Sequence, residues 1–181
     1  MGGTRIDSLR AVTGRSTLPP SCGAGSPAAP VTILGCAGTG SGGDLAGSRG
    51  IRFTVDQQFN RVVVRLNGSA AGNYSITAEL RRSTGFLGLA NYSSTSILAG
   101  NGDLNTTPYP NVVFDFGLVP VTGSETFTLK FIVNSGPGTV YMEVFGIGTT
   151  PCPGVQQTNE NDVASPTERG DPPGFRVIYA P

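Results

Sequence analysis

Apolar side chains recur at every second position in seven separate runs of this chain, and that period is the signature of a half-buried β-strand. Ile51, Phe53 and Val55 alternate with Arg52, Thr54 and Asp56. The same pattern repeats in Val62/Val64/Leu66, Tyr74/Ile76/Ala78/Leu80 and Val112/Phe114/Phe116. It returns in Phe127/Leu129/Phe131/Val133, Val140/Met142/Val144 and Phe175/Val177/Tyr179. Two weaker runs span 31–34 and 92–98. Turn residues separate them, such as Asn67-Gly68, Gly100-Asn101-Gly102-Asp103 and Ser135-Gly136-Pro137-Gly138. No window carries a helical stripe. Strands with one apolar and one polar face do not suit a parallel sheet, which is buried on both sides. Eight to nine such strands predict an all-β fold, an antiparallel β-sandwich of two sheets on one core.

Glycine and proline are concentrated at the two ends of the chain. Residues 1–30 are expected to be a flexible N-terminal segment or linker. Residues 31–181 are expected to form one β-sandwich domain with a long loop over 146–173. Val63, Val113, Ile132, Tyr141, Phe145 and Ile178 fall on the nominally outer faces. Several of them are expected to meet as one apolar patch, covered by the N-terminal segment or by the 146–173 loop.

The charge inventory removes several functions. Twelve basic and 12 acidic residues cancel, so no basic excess is present to hold a phosphate backbone, and nucleic acid is excluded as a partner. The chain has no histidine. Ser-His-Asp and Cys-His mechanisms are therefore closed to it, as are His-ligated metals. No apolar run approaches the ~18 residues that span a bilayer, so no membrane insertion is expected.

The three cysteines, Cys22, Cys36 and Cys152, each sit beside Gly, Pro or Ser in expected loops. Loop cysteines in an oxidising compartment pair, and three of them allow three single bridges. The expectation is one disulfide and one free thiol. A Cys22–Cys36 bridge would close a loop of about 15 residues, worth about 3 kcal/mol in the chain-entropy model. The surface is dressed with Ser, Thr, Asn and Gly, and Lys130 is the sole lysine. That palette points to an extracellular or cell-surface protein. Residues 1–20 lack the apolar stretch of a secretory signal, which leaves a cytoplasmic protein or a piece of a longer product as readings, and the palette favours the second.

Candidate sites follow from what remains. Without histidine, acid–base chemistry falls to carboxylates, and the densest stretch holds Glu160, Asp162, Glu168 and Asp171. That stretch is also a second place where calcium could bind. The first is Asn101-Gly102-Asp103-Leu104-Asn105, where Asn101, Asp103 and Asn105 offer oxygens at alternate positions to a possible Ca2+; no other cofactor is expected. Four aromatics, Phe86, Tyr92, Tyr109 and Tyr141, are expected to present rings to a ligand such as a glycan. Tyr109 is stiffened between Pro108 and Pro110, and Phe86 sits in an apolar Gly85–Leu89 loop. Asn67, Asn73, Asn91 and Asn105 begin Asn-x-Ser/Thr sequons.

The runs Ile51-Arg52-Phe53-Thr54-Val55 and Val62-Val63-Val64-Arg65-Leu66, the run 74–80 and the closing Gly174-Phe175-Arg176-Val177 carry a resemblance. Over 50–180 the chain resembles the jelly-roll or immunoglobulin-like accessory modules of secreted bacterial proteins. The resemblance implies a non-catalytic module that binds a glycan or a protein surface. Two alternatives stand beside it. One is a structural assembly subunit of a virion, filament or surface layer, a homo-oligomer that uses its outer apolar residues. The other is a carboxylate-based glycoside hydrolase. The expectation is that the chain is not an enzyme.

Overall fold

A computed structural model describes residues 28–35, 41–43, 49–105, 108–144, 153–159, 168–169 and 174–181. The described residues form 12 strands and no helix. They are β1 (Val31–Gly35), β2 (Ser41–Gly43), β3 (Arg49–Val55), β4 (Phe59–Gly68), β5 (Ala71–Arg81) and β6 (Tyr92–Asn101), followed by β7 (Asn111–Val119), β8 (Glu125–Ser135), β9 (Val140–Val144), β10 (Val155–Asn159), β11 (Glu168–Arg169) and β12 (Phe175–Tyr179). All nine alternating runs are strands. The count rises from the expected eight or nine because β2, β10 and β11 carry no alternation. Ser41-Gly-Gly has no apolar side chain, and Val155-Gln-Gln-Thr-Asn has one. Backbone pairing with β9 and β3, not side-chain pattern, makes β2 and β10 strands. The stretch 146–173, expected to be a loop, therefore contains two of the strands.

All pairings are antiparallel, and the strands form two sheets. In the first, β4 pairs along its first half with β12 and β7 on its two edges, and its last three residues pair with β9. β1 extends β12 and β2 extends β9. The second sheet runs β11-β10-β3-β8-β5-β6. The two sheets meet along one side, where Ser96 Oγ on β6 donates to the Val113 carbonyl on β7. Among the described residues no helix is long and apolar enough to cross a membrane.

The core is the set of inward positions of both sheets. Phe53 and Phe127 from the second sheet meet Phe59 and Phe175 from the first. Their rings lie 5.1 to 5.9 Å from the Phe53 centroid. The residues of the expected apolar patch divide between the two sheets. Val63, Val113, Tyr141 and Ile178 lie in the first sheet and Ile132 in the second. Val63 is buried, whereas Val113 and Ile132 are exposed. Phe145 lies outside the described residues, as do nearly all of 1–30.

Tyr74 closes one end of the core. Its hydroxyl donates to the Ala70 carbonyl at 3.0 Å and accepts from the Ala70 amide at 3.1 Å. Glycines let the ring lie flat against backbone. A Cβ at Gly136 would stand 2.1 Å from Tyr74 Cδ1, and one at Gly68 would stand 2.2 Å from Cε2. The ring is fully buried and pinned by its hydroxyl, so it has little room to give. Gly136→Ala is expected to cost about 1–3 kcal/mol by overpacking. Urea denaturation reads it, and an unchanged midpoint would refute the close fit.

Candidate functional site

One end of the outer face of the first sheet, over β4 and β9, is covered by the connection between β6 and β7. Outward positions of β4 and β9 place Arg65, Asn67, Tyr141 and Glu143 under that connection. Glu143, on an outward position of β9, nevertheless has no exposed surface. Its Oε1 accepts from Arg65 Nη1 at 3.1 Å and its Oε2 from the Tyr109 backbone N–H at 2.6 Å. A buried carboxylate needs such partners. Asn67, equally buried, donates through Nδ2 to Asn101 Oδ1 at 2.7 Å and to the Asp103 carbonyl at 2.9 Å. Its Oδ1 accepts from Gly68 N at 2.9 Å and Asn101 N at 3.1 Å. That fills the bonding capacity of its amide.

These contacts revise one expectation. Tyr109 is 2% exposed and does not present a ring. Its hydroxyl donates to the Leu104 carbonyl at 2.8 Å, so it serves as the plug of the connection. Burial pushes its pKa up, helped by Glu143, Tyr141 and Asp103 around it. The side chains of Asn101 and Asp103 also shape their own turn. Asn101 Oδ1 also accepts from Asp103 N, and Asp103 Oδ1 accepts from Asn105 N, each at 2.9 Å. Among the described residues no three His, Cys, Asp or Glu side chains gather as a metal group.

The outer face of the second sheet is only partly covered. The connection between β5 and β6 folds back over it. Phe86, expected as a presented ring, is 5% exposed and lies on Gly50, where a Cβ would stand 2.2 Å from its Cζ. Thr128 Oγ1 donates to the Gly85 carbonyl at 2.8 Å, and Arg81 Nε donates to the Gly88 carbonyl at 3.1 Å. The absent side chain at Gly50 is what lets the ring descend. Tyr92 is half-buried, and its hydroxyl accepts from Arg82 Nη2 at 3.3 Å. The four aromatics are therefore split, with Tyr109 and Tyr141 over the first sheet and Phe86 and Tyr92 at the second.

Beside this cover lies an open cleft of about 410 Å³. Arg52, Thr54, Thr84, Thr126 and Gln156 supply its polar lining, and no carboxylate is among its described lining residues. Strand register builds it. Gln156 pairs across from Arg52, Arg52 from Thr128 and Thr54 from Thr126. Arg52 Nε donates to Gln156 Oε1 at 2.9 Å, and the Thr54 and Thr126 hydroxyls lie 3.0 Å apart. Sequence reasoning missed this site because Gln156 lies in the supposed loop. The available signal was the outward alternation of Arg52 and Thr54.

Past the row formed by Ser93, Glu79 and Lys130, no described residue covers Ser75, Thr77, Thr95, Ile97, Ile132 and Asn134 on β5, β6 and β8. Cys22, Cys36 and Cys152 lie outside the described residues, as do Glu160, Asp162 and Asp171; Glu168 is described only as backbone of β11. No protein-family model matches the chain, and no curated protein matches it in sequence.

Proposed function

We propose that this chain is a non-catalytic β-sandwich module of a secreted or cell-surface protein, and that it binds a glycan through the cleft beside β3 and β10. The observation that carries the reading is the lining of that cleft. A guanidinium, an amide and three hydroxyls converge there, from Arg52, Gln156, Thr54, Thr84 and Thr126. Such groups exchange hydrogen bonds with sugar hydroxyls in place of water. A hydrolase would need two positioned carboxyl groups, and the described lining supplies neither. Exposed stacking rings no longer support the reading, since Phe86 and Tyr109 are buried.

Replacing Arg52 and Gln156 together by Ala is expected to weaken glycan-array binding at least tenfold, about 1.4 kcal/mol. The melting transition should stay nearly unchanged, because both side chains lie on an outer face. An unchanged array signal would sink the cleft. Hydrolysis of a glycoside by the unaltered protein would favour an enzyme instead. A second reading, a structural assembly subunit, draws support from the exposed Val113, Leu118 and Val133. A single monomeric species in size-exclusion chromatography at high concentration would remove it.

A further inference from the structure

Asparagine followed by glycine occurs twice in this chain, at Asn67-Gly68 and at Asn101-Gly102. Glycine has no side chain to shield its amide nitrogen, so at such a step that nitrogen can approach the side-chain carbonyl carbon of the asparagine before it. The two steps share this local chemistry and touch each other, since Asn67 Nδ2 donates to Asn101 Oδ1 at 2.7 Å. Their surroundings are opposite. Asn67 is fully buried, whereas Asn101, Gly102 and Asp103 are exposed.

The Asn67 amide is held at both of its atoms. Its Nδ2 donates to Asn101 Oδ1 and to the Asp103 carbonyl. Gly68 N donates to Asn67 Oδ1 at 2.9 Å. The attacking nitrogen is therefore near, but its proton is engaged, the leaving nitrogen is tied, and burial closes the site to water. Asn101 differs in each respect. Among the described residues nothing accepts from its Nδ2, and β6 ends there, with Gly102 at a φ of +78°. Its Oδ1 accepts from Asn67 Nδ2 at 2.7 Å and from Asp103 N at 2.9 Å. Two N–H donors aimed at one carbonyl oxygen stabilise the negative charge that develops on it when its carbon is attacked.

We propose that Asn101 is a site of self-modification, deamidation through a cyclic imide, and that the fold protects Asn67 from the same reaction. The co-reactants are water and hydroxide. Hydroxide takes the proton of Gly102 N, and that nitrogen attacks Asn101 Cγ. A C–N bond forms, the bond from Cγ to Nδ2 breaks, and Nδ2 takes a proton from water and leaves as ammonia. Water then opens the imide at either carbonyl. The product is aspartate, or its isomer in which the side-chain carbon has joined the main chain. Nothing is oxidised or reduced. Both products set a new carboxylate beside Asp103. The isomer also lengthens the backbone at the end of β6 and displaces the oxygen that Asn67 and the Asp103 amide share. The proposal does not depend on glycan binding.

The test is peptide mapping by mass spectrometry after incubation at mildly alkaline pH, with the protein folded or held unfolded in urea. In urea both asparagines are expected to convert at similar rates, because both precede glycine. In the folded protein Asn101 is expected to convert at least tenfold faster than Asn67, whose reaction waits for local opening. Asn101→Gln keeps an amide but requires a larger ring, and it should remove the Asn101 signal. A signal that persists in that variant overturns the proposal. Equal rates at the two asparagines in the folded protein overturn it as well. So does an Asn101 as inert as Asn67, which would mean that the two bonds on Oδ1 lock the amide instead of activating its carbon.

Discussion

Phe53→Ala is expected to lower the stability of this protein by about 3–5 kcal/mol, the range for deleting a fully enclosed aromatic ring. Phe53 is 1% exposed and lies where the two sheets face each other. It is stacked on Phe127 of its own sheet, at 5.5 Å and 19° between planes, and tilted against Phe175 of the opposite sheet at 5.1 Å. Phe59 adds an edge contact at 5.9 Å. Three rigid rings on three different strands cannot collapse into the space that Ala leaves, so the cavity persists. Guanidinium denaturation monitored by circular dichroism gives the number. A loss under about 1 kcal/mol would mean that the sheets are held together elsewhere.

The second large effect is expected at Glu143. Removing one partner of a buried ion pair leaves the other group poorly satisfied, typically at 3–5 kcal/mol. Glu143 is fully buried, whereas the Arg65 side chain keeps 28% of its surface. Water can partly replace the lost partner of Arg65, so Glu143→Ala is expected near the low end, about 3 kcal/mol. The Tyr109 N–H loses its acceptor in the same variant, and the connection that Tyr109 plugs should loosen. Glu143→Gln keeps an amide oxygen for that N–H and should cost less than the Ala variant. Hydrogen exchange at the Tyr109 amide separates the two. Equal protection in both variants would refute the carboxylate's role in holding the connection.

The β-strands were legible because period two is a local property, visible in Phe53, Val64 or Leu129 without knowledge of their neighbours. The strands β2 and β10 were not legible. Ser41–Gly43 and Val155–Asn159 owe their conformation to hydrogen bonds with β9 and β3, and those bonds leave no mark on their side chains. Phe86 and Tyr109 looked like presented rings because each sits in a connection between strands. Both connections fold back, one onto Gly50 and the other onto the buried Glu143. An unsatisfied apolar ring in a loop gains more by covering a sheet than by facing water.

From the residues alone one could know that the chain is all-β, which side of nearly every strand faces the core, and that histidine chemistry is closed to it. Alternation and composition determine those things directly. Which polar face is covered and which stays open was decided only in three dimensions. Arg65, Asn67 and Glu143 alternate outward in the same way as Thr77, Thr95 and Asn134. The first group lies under the β6–β7 connection and the second under nothing described. The difference comes from loops and register pairs distant in sequence, such as Arg52 with Gln156, 104 residues apart. Alternation fixes the direction of a side chain relative to its own strand, but not what another part of the chain lays over it.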